Sequence, residues 1–167
     1  GSEFSSACDM RFGLLGKTVV NQMEVPLGIL PGGGGTQHLP RLLGRGRAME
    51  VILGGIDMDA ETAEKWGYLN RAFETPAELD AYVSQLANRM ALWPPHAIAL
   101  AKESTLNSAL PIVEGLKEEA YLFQQTLRNP ASTQNMKKAL ELGAQTREGE
   151  MRIADLSEEV GLAAKKD

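Results

Sequence analysis

Cysteine occurs once in these 167 residues, so Cys8 has no internal disulfide partner and a reducing compartment, the cytoplasm, is expected. No apolar run approaches the roughly 20 residues that a bilayer-crossing helix needs, so no membrane partner is expected either. The first residues lack the basic stretch and following apolar stretch of a secretory leader. Cations are in deficit, with 17 Lys and Arg against 22 Asp and Glu. The resulting net charge of −5 argues against nucleic acid as the main partner, because a phosphate backbone calls for a basic face. A phosphorylated small molecule stays possible, since a few local cations can hold it. The two histidines, the cysteine and the carboxylates show no metal-ligand spacing, so no metal is expected. No Lys-Ser or Lys-Thr pair follows the glycines, which rules out a nucleotide P-loop, and the spaced glycines of a dinucleotide fingerprint are missing. No internal repeat is visible.

What is present changes character along the chain. A length of 167 residues supports one ordinary core with an appendage. Residues 1–4, Gly-Ser-Glu-Phe, read as the translation of two adjacent cloning sites and are set apart from the fold. Residues 5–74 hold most of the glycines and the short apolar runs, and predict alternating strand and helix. Strands are expected over Ala7–Phe12, over Thr18–Val20 continuing as Gln22–Val25, and over Tyr68–Phe73, with Pro26 stopping the second. Pro31-Gly32-Gly33-Gly34-Gly35-Thr36 predicts a loop, followed by a helix carrying Leu39, Leu42 and Leu43. A further helix ends at Gly54-Gly55, and another runs from an Asp59 N-cap to Gly67.

From 75 to 167 the pattern is helical. Thr75-Pro76-Ala77-Glu78 is a capping box opening a helix with Leu79, Tyr82, Val83, Leu86, Ala87 and Met90 in one stripe. Pro94-Pro95, Pro111 and Asn129-Pro130 mark the next joints, and Ile112, Leu116, Ala120, Phe123 and Leu127 are in phase. The charged tail from Arg147 to Lys165-Lys166-Asp167 is either helical against a partner or frayed. So few strands do not make a sheet with both edges protected, which predicts missing N-terminal sequence.

Glu24 and the glycine loop carry the chemistry. Glu24 ends an extended segment eight residues before Gly32, among Val25, Leu27, Ile29 and Leu30. A glycine loop leading into a helix offers backbone N–H groups beside a positive helix terminus, which suits an oxygen-rich ligand or a water. A carboxylate beside it fits general acid or base work. On this pattern alone, a surface glutamate next to a flexible turn is the favoured reading.

The wider string is more specific. Ala7 to Phe12, Gln22 to Leu42 through Pro31-Gly32-Gly33-Gly34-Gly35-Thr36, Gly44-Arg45, Leu53-Gly54-Gly55, Asp59-Ala60 and Gly67-Tyr68-Leu69-Asn70-Arg71 resemble the enoyl-CoA hydratase/isomerase (crotonase) family. The resemblance runs over about residues 7–105, and the chain reads as the C-terminal part of a family member.

The resemblance implies an α/β fold, a partial crotonase (ClpP-like) spiral core followed by a C-terminal helical trimerisation region. It implies an acyl-CoA thioester as substrate, no cofactor beyond the coenzyme A of that substrate, and a homo-oligomer, trimer or hexamer. The parent reaction would be hydration of a trans-2-enoyl-CoA, with double-bond isomerisation as the close second. Glu24 would be the acid/base residue, Gly32 would present an N–H group to the reacting water, Gly33 would belong to the substrate-binding residues with it, and Gln22 would shape the pocket. The carbonyl-binding N–H pair of the family comes from segments ahead of the Ala7-Cys8-Asp9 run, so catalysis by this chain is expected to be impaired. The first glutamate of the family's pair falls at Glu3, which is set aside here with residues 1–4. Met23 and the stretch after Asn129 depart from the family pattern. The rival reading is a non-catalytic assembly module or a fragment. His38, His96, Arg41, Arg45, Arg47, Trp66 and Trp93 read as packing or solvated residues.

Overall fold

The computed structural model describes residues 1–165, so Lys166 and Asp167 of the expected tail lie outside the described residues. The chain divides into two compact units, Gly1–Ser84 and a second from Gln85 on.

The first unit opens with a short helix, α1 (Ser2–Ser6), where residues 1–4 were set apart from the fold. Helix α1 displaces the expected strand over Ala7–Phe12. Ala7 N–H returns to the carbonyls of Glu3 and Phe4, and Cys8 N–H to that of Ser5, so the chain is still closing a helix there. Extended pairing starts only when Arg11 N–H reaches Asn70 Oδ1 at 2.8 Å. Strand β1 (Phe12–Leu14) then runs parallel to β4 (Arg71–Phe73), with Gly13 opposite Ala72. Strand β2 (Val19–Val20) pairs antiparallel with β3 (Met58–Asp59).

The extended segment expected through Val25 stops early. Glu24 has helical angles (φ −69°, ψ −42°) and leads a single 3₁₀ turn, Val25–Leu27, with its carbonyl accepting from Leu27 and Ile29 N–H. Pro26, whose ring fixes φ near that of a helix, favours the turn. Tyr68 and Leu69 likewise stay out of the last strand, because both their N–H groups return to the Ala63 carbonyl and close the preceding helix.

The helices follow the local signals. The glycine loop leads into α2 (Gly35–Leu43), and α3 (Arg45–Gly54) ends at Gly55, which takes the left-handed φ of +59°. Helix α4 (Ala60–Trp66) starts where Asp59 accepts the Thr62 N–H at 2.8 Å and ends at Gly67, φ +87°. Leu39, Leu43, Val51, Ile52, Met58 and Leu69 are the centre of one buried cluster that joins these elements. Helix α5 (Pro76–Met90) begins with the predicted capping box: Glu78 N–H donates to Thr75 Oγ1 and Thr75 N–H to Glu78 Oε2. Its stripe is half-buried, save for exposed Ala87.

Asp59 provides an acid-side test. The Thr62 backbone N–H, and more weakly the Thr62 side chain, hold its carboxyl below the ordinary value. A lowered folded pKa means the carboxylate's contribution is complete above the unfolded value and is lost as pH falls through the folded one. Stability of the wild type should therefore fall below about pH 4 more steeply than that of Asp59→Asn, which keeps a capping oxygen but does not titrate. Parallel acid-denaturation curves would refute this.

The second unit is helical: α6 (Pro95–Leu106), α7 (Ile112–Leu127), α8 (Pro130–Glu141), α9 (Arg147–Met151) and α10 (Ile153–Ala164). From Arg147 to Ala164 the tail is helical in two pieces, with Leu156, Val160 and Gly161 buried. Gly161 lets α10 approach closely: a Cβ there would sit 2.8 Å from Leu92 Cβ and 3.0 Å from the Trp93 ring. The Arg89 guanidinium stacks on Trp93 and ion-pairs with Glu158 at 2.8 Å, making Trp93 a packing anchor. In α7 the predicted stripe is periodic but outward: Ile112, Leu116, Phe123 and Leu127 are 73, 54, 61 and 44% exposed, and Leu122 is the one buried residue of that helix. Among the described residues no helix is long and apolar enough to cross a membrane.

Candidate active site

The glycine loop and α1 face each other, and a carboxylate joins them. Gly33 N–H and Gly35 N–H both donate to Glu3 Oε1, at 2.8 and 2.9 Å. The loop can do this because it has no side chains in the way. A Cβ on Gly33 would lie 2.9 Å from Glu3 Cδ, and Gly34 adopts φ +107°, a left-handed conformation that L side chains rarely take. The helix that follows aims the positive end of its dipole at the loop, the arrangement expected to favour an anion there. Glu3 is thus the residue that sequence reasoning passed over. Its signal, five positions before Cys8, was present, and it was set aside with its neighbours.

Gln22 lies beneath the same loop. Its side chain is 1% exposed, its Nε2 donates to Ser2 Oγ at 3.3 Å, and a Cβ on Gly35 would come within 2.7 Å of that nitrogen. Gln22 Oε1 is buried and finds no hydrogen-bond partner among the described residues, and Glu24 Oε2 is in the same condition. Two buried oxygens without donors, two positions apart in the chain, are costly unless a donor reaches them. Glu24 itself is half-buried, and the expected apolar neighbours Leu27, Ile29 and Leu30 project outward instead of covering it. Gly32 is exposed, and no neighbour would crowd a Cβ there closer than the Leu30 carbonyl at 3.9 Å.

The remaining candidates take structural places. The His38 ring packs under Gly34, within 2.9 Å of where a Cβ would stand. Arg41 donates to the Gln37 carbonyl, Arg47 stacks on Trp66, and His96 lies 3.2 Å from Ser132 Oγ. Glu3 is thus held by backbone donors of the glycine loop, and Glu24 keeps one buried oxygen without a donor among the described residues.

The enoyl-CoA hydratase/isomerase family model matches residues 1–149. This chain belongs to that family. The match overturns the reading of the chain as only a C-terminal part: it begins at residue 1, taking in α1 and Glu3, and continues well past residue 105. Among curated relatives of the family, the short-chain-enoyl-CoA hydratase of Clostridioides difficile is 40% identical over 124 residues, 74% of this chain and 79% of the relative. The 2,3-dehydroadipyl-CoA hydratase of Escherichia coli K12 is 34% identical over 131 residues, 74% of this chain and 48% of the relative. A solved enoyl-CoA hydratase from Bacillus anthracis superposes with a TM-score of 0.80 at 30% identity, over 84% of this chain and 54% of that one. The chain therefore spans about half the length of the last two. The fold is that of the crotonase family, an α/β core followed by a helical region.

Proposed function

We propose that this chain contributes the acid/base part of an enoyl-CoA hydratase site, with Glu24 and Glu3 as the paired carboxylates and a trans-2-enoyl-CoA thioester as substrate. One observation supports this above the others: two backbone N–H groups of the glycine loop hold Glu3 Oε1, and Glu24 precedes that loop in the chain. Hydration needs one group to take a proton from water and another to deliver a proton to the α-carbon, and two carboxylates can divide that work. Isomerisation of the double bond uses the same proton traffic without water and stays the close second reading. Gln22 and the Gly32 N–H would line the water side, the Gly33 N–H being taken by Glu3. No cofactor enters this chemistry beyond the coenzyme A of the substrate. The test is crotonyl-CoA hydration, followed by loss of the enoyl thioester's ultraviolet absorbance, with the wild type beside the Glu3→Gln, Glu24→Gln double variant. A folded wild type no faster than the double variant would refute catalysis by this chain.

The outward stripe of α7 favours self-association, as a trimer or hexamer, and gives the rival reading of an assembly module its support. Phe123→Glu should then shift the particle to a lower mass by light scattering, with helix content unchanged. An unchanged mass would exclude this face.

A further inference from the structure

We propose that Tyr68 is a positioning residue for Glu3: its hydroxyl docks α1 on the core and so keeps the Glu3 carboxylate seated on the glycine loop. The inference rests on the reading of Glu3 as an acid/base group.

Helix α1 is five residues long and has no side-chain hydrogen bond capping its start. A helix that short has no stability of its own, so tertiary contacts must decide where it lies. Tyr68 supplies them from far along the chain. Its hydroxyl donates to the Ser2 carbonyl at 3.2 Å and lies 3.3 Å from Ser6 Oγ, which in turn donates to the same carbonyl at 2.8 Å. The Ser2 carbonyl thereby accepts from two hydroxyls, the Tyr68 phenol and Ser6 at the far end of α1, with Glu3 between the two serines. Tyr68 is 2% exposed and Ser6 4%, so these bonds are made away from water.

The anchor is itself fixed. Tyr68 N–H closes α4 on the Ala63 carbonyl, Arg11 Nε donates to the Tyr68 carbonyl at 2.6 Å, and the Arg11 guanidinium stacks on the ring at 5.2 Å. Gln22 Nε2 also donates to Ser2 Oγ, at 3.3 Å. Losing the phenol hydroxyl leaves the ring packed but frees α1 to tilt. Small displacements of a reacting group are enough to cost on the order of a hundredfold in rate.

The experiment uses the full chain with Tyr68→Phe. Amide hydrogen exchange at Gly33 and Gly35 should quicken about tenfold, the size set by one hydrogen bond of typical net strength. With crotonyl-CoA, kcat should fall on the order of tenfold or more while KM stays within about twofold. Combined with Glu3→Gln, the substitution should cost nothing further, because it acts only through Glu3. Unchanged exchange at both glycines, or losses that multiply in the double variant, would overturn the proposal. If the wild type hydrates nothing, the acid/base reading falls and the exchange measurement alone decides whether Tyr68 seats Glu3. Should Tyr68→Phe fail to fold, Ser6→Ala takes away the hydroxyl beside the phenol at the far end of α1, leaving the phenol's bond to Ser2, and should quicken exchange at the same two glycines.

Discussion

Glu24→Gln should lower the rate of crotonyl-CoA hydration by about 10²- to 10⁴-fold, the range that a positioned general acid or base contributes. The substitution keeps the length and shape of the side chain and removes its capacity to exchange a proton. Glu24 Oε2 has no donor among the described residues, so no internal hydrogen bond to that oxygen is broken. The fold should therefore stay as stable as before, within the small range of substitutions that disturb no packed or paired group. Single-turnover absorbance measures the rate, and a denaturation curve supplies the control. A rate within a few-fold of wild type would remove Glu24 from the mechanism. Glu3→Gln offers a useful contrast. Its amide oxygen can still accept from Gly33 and Gly35, so placement is preserved and the loss reports proton chemistry alone. Tyr68→Phe does the converse, leaving the proton chemistry and disturbing the placement.

Features set by neighbours in the chain were legible before the fold was known. Asp59, the Thr75–Glu78 box, Gly55 and Gly67 each act within a few residues, so composition at the right spacing predicts them. The glycine loop was legible for the same reason, whereas the role expected of Glu24 came only from the wider resemblance. Strand boundaries were not, because β1 and β4 are three residues each and their extent is decided by a partner about sixty positions away. Helix α1 was the hardest case. Its residues, Ser-Glu-Phe-Ser-Ser, carry no apolar period, and its helical state depends on a tyrosine hydroxyl and a glycine loop that no local window contains. Glu3 was lost with it. The α7 stripe shows the complementary limit: the 3.6-residue period predicts that a helix has an apolar face, but not that the face is covered.

Leu39→Ala should be the most damaging single substitution to the first unit, costing about 2–5 kcal/mol. Leu39 is 0% exposed and sits one turn into α2, at the centre of the cluster with Leu43, Val51 and Met58. Truncation removes apolar surface from the core and leaves a cavity, since packed neighbours relax only in part. Native stability is commonly about 5–15 kcal/mol, so the loss is a large share of the total. Leu53, 63% exposed on α3, is the matched control, and its replacement by Ala should cost no more than about 0.5 kcal/mol. Urea denaturation of both variants distinguishes them, and equal small losses would mean the buried cluster is not the core. The consequence reaches the site. Gly35 begins α2 and donates to Glu3, so an α2 that has lost its anchor one turn later should also let exchange quicken at Gly33 and Gly35. Stability and placement of the carboxylate then fall together in Leu39→Ala, whereas Tyr68→Phe should loosen the carboxylate with much less effect on the core.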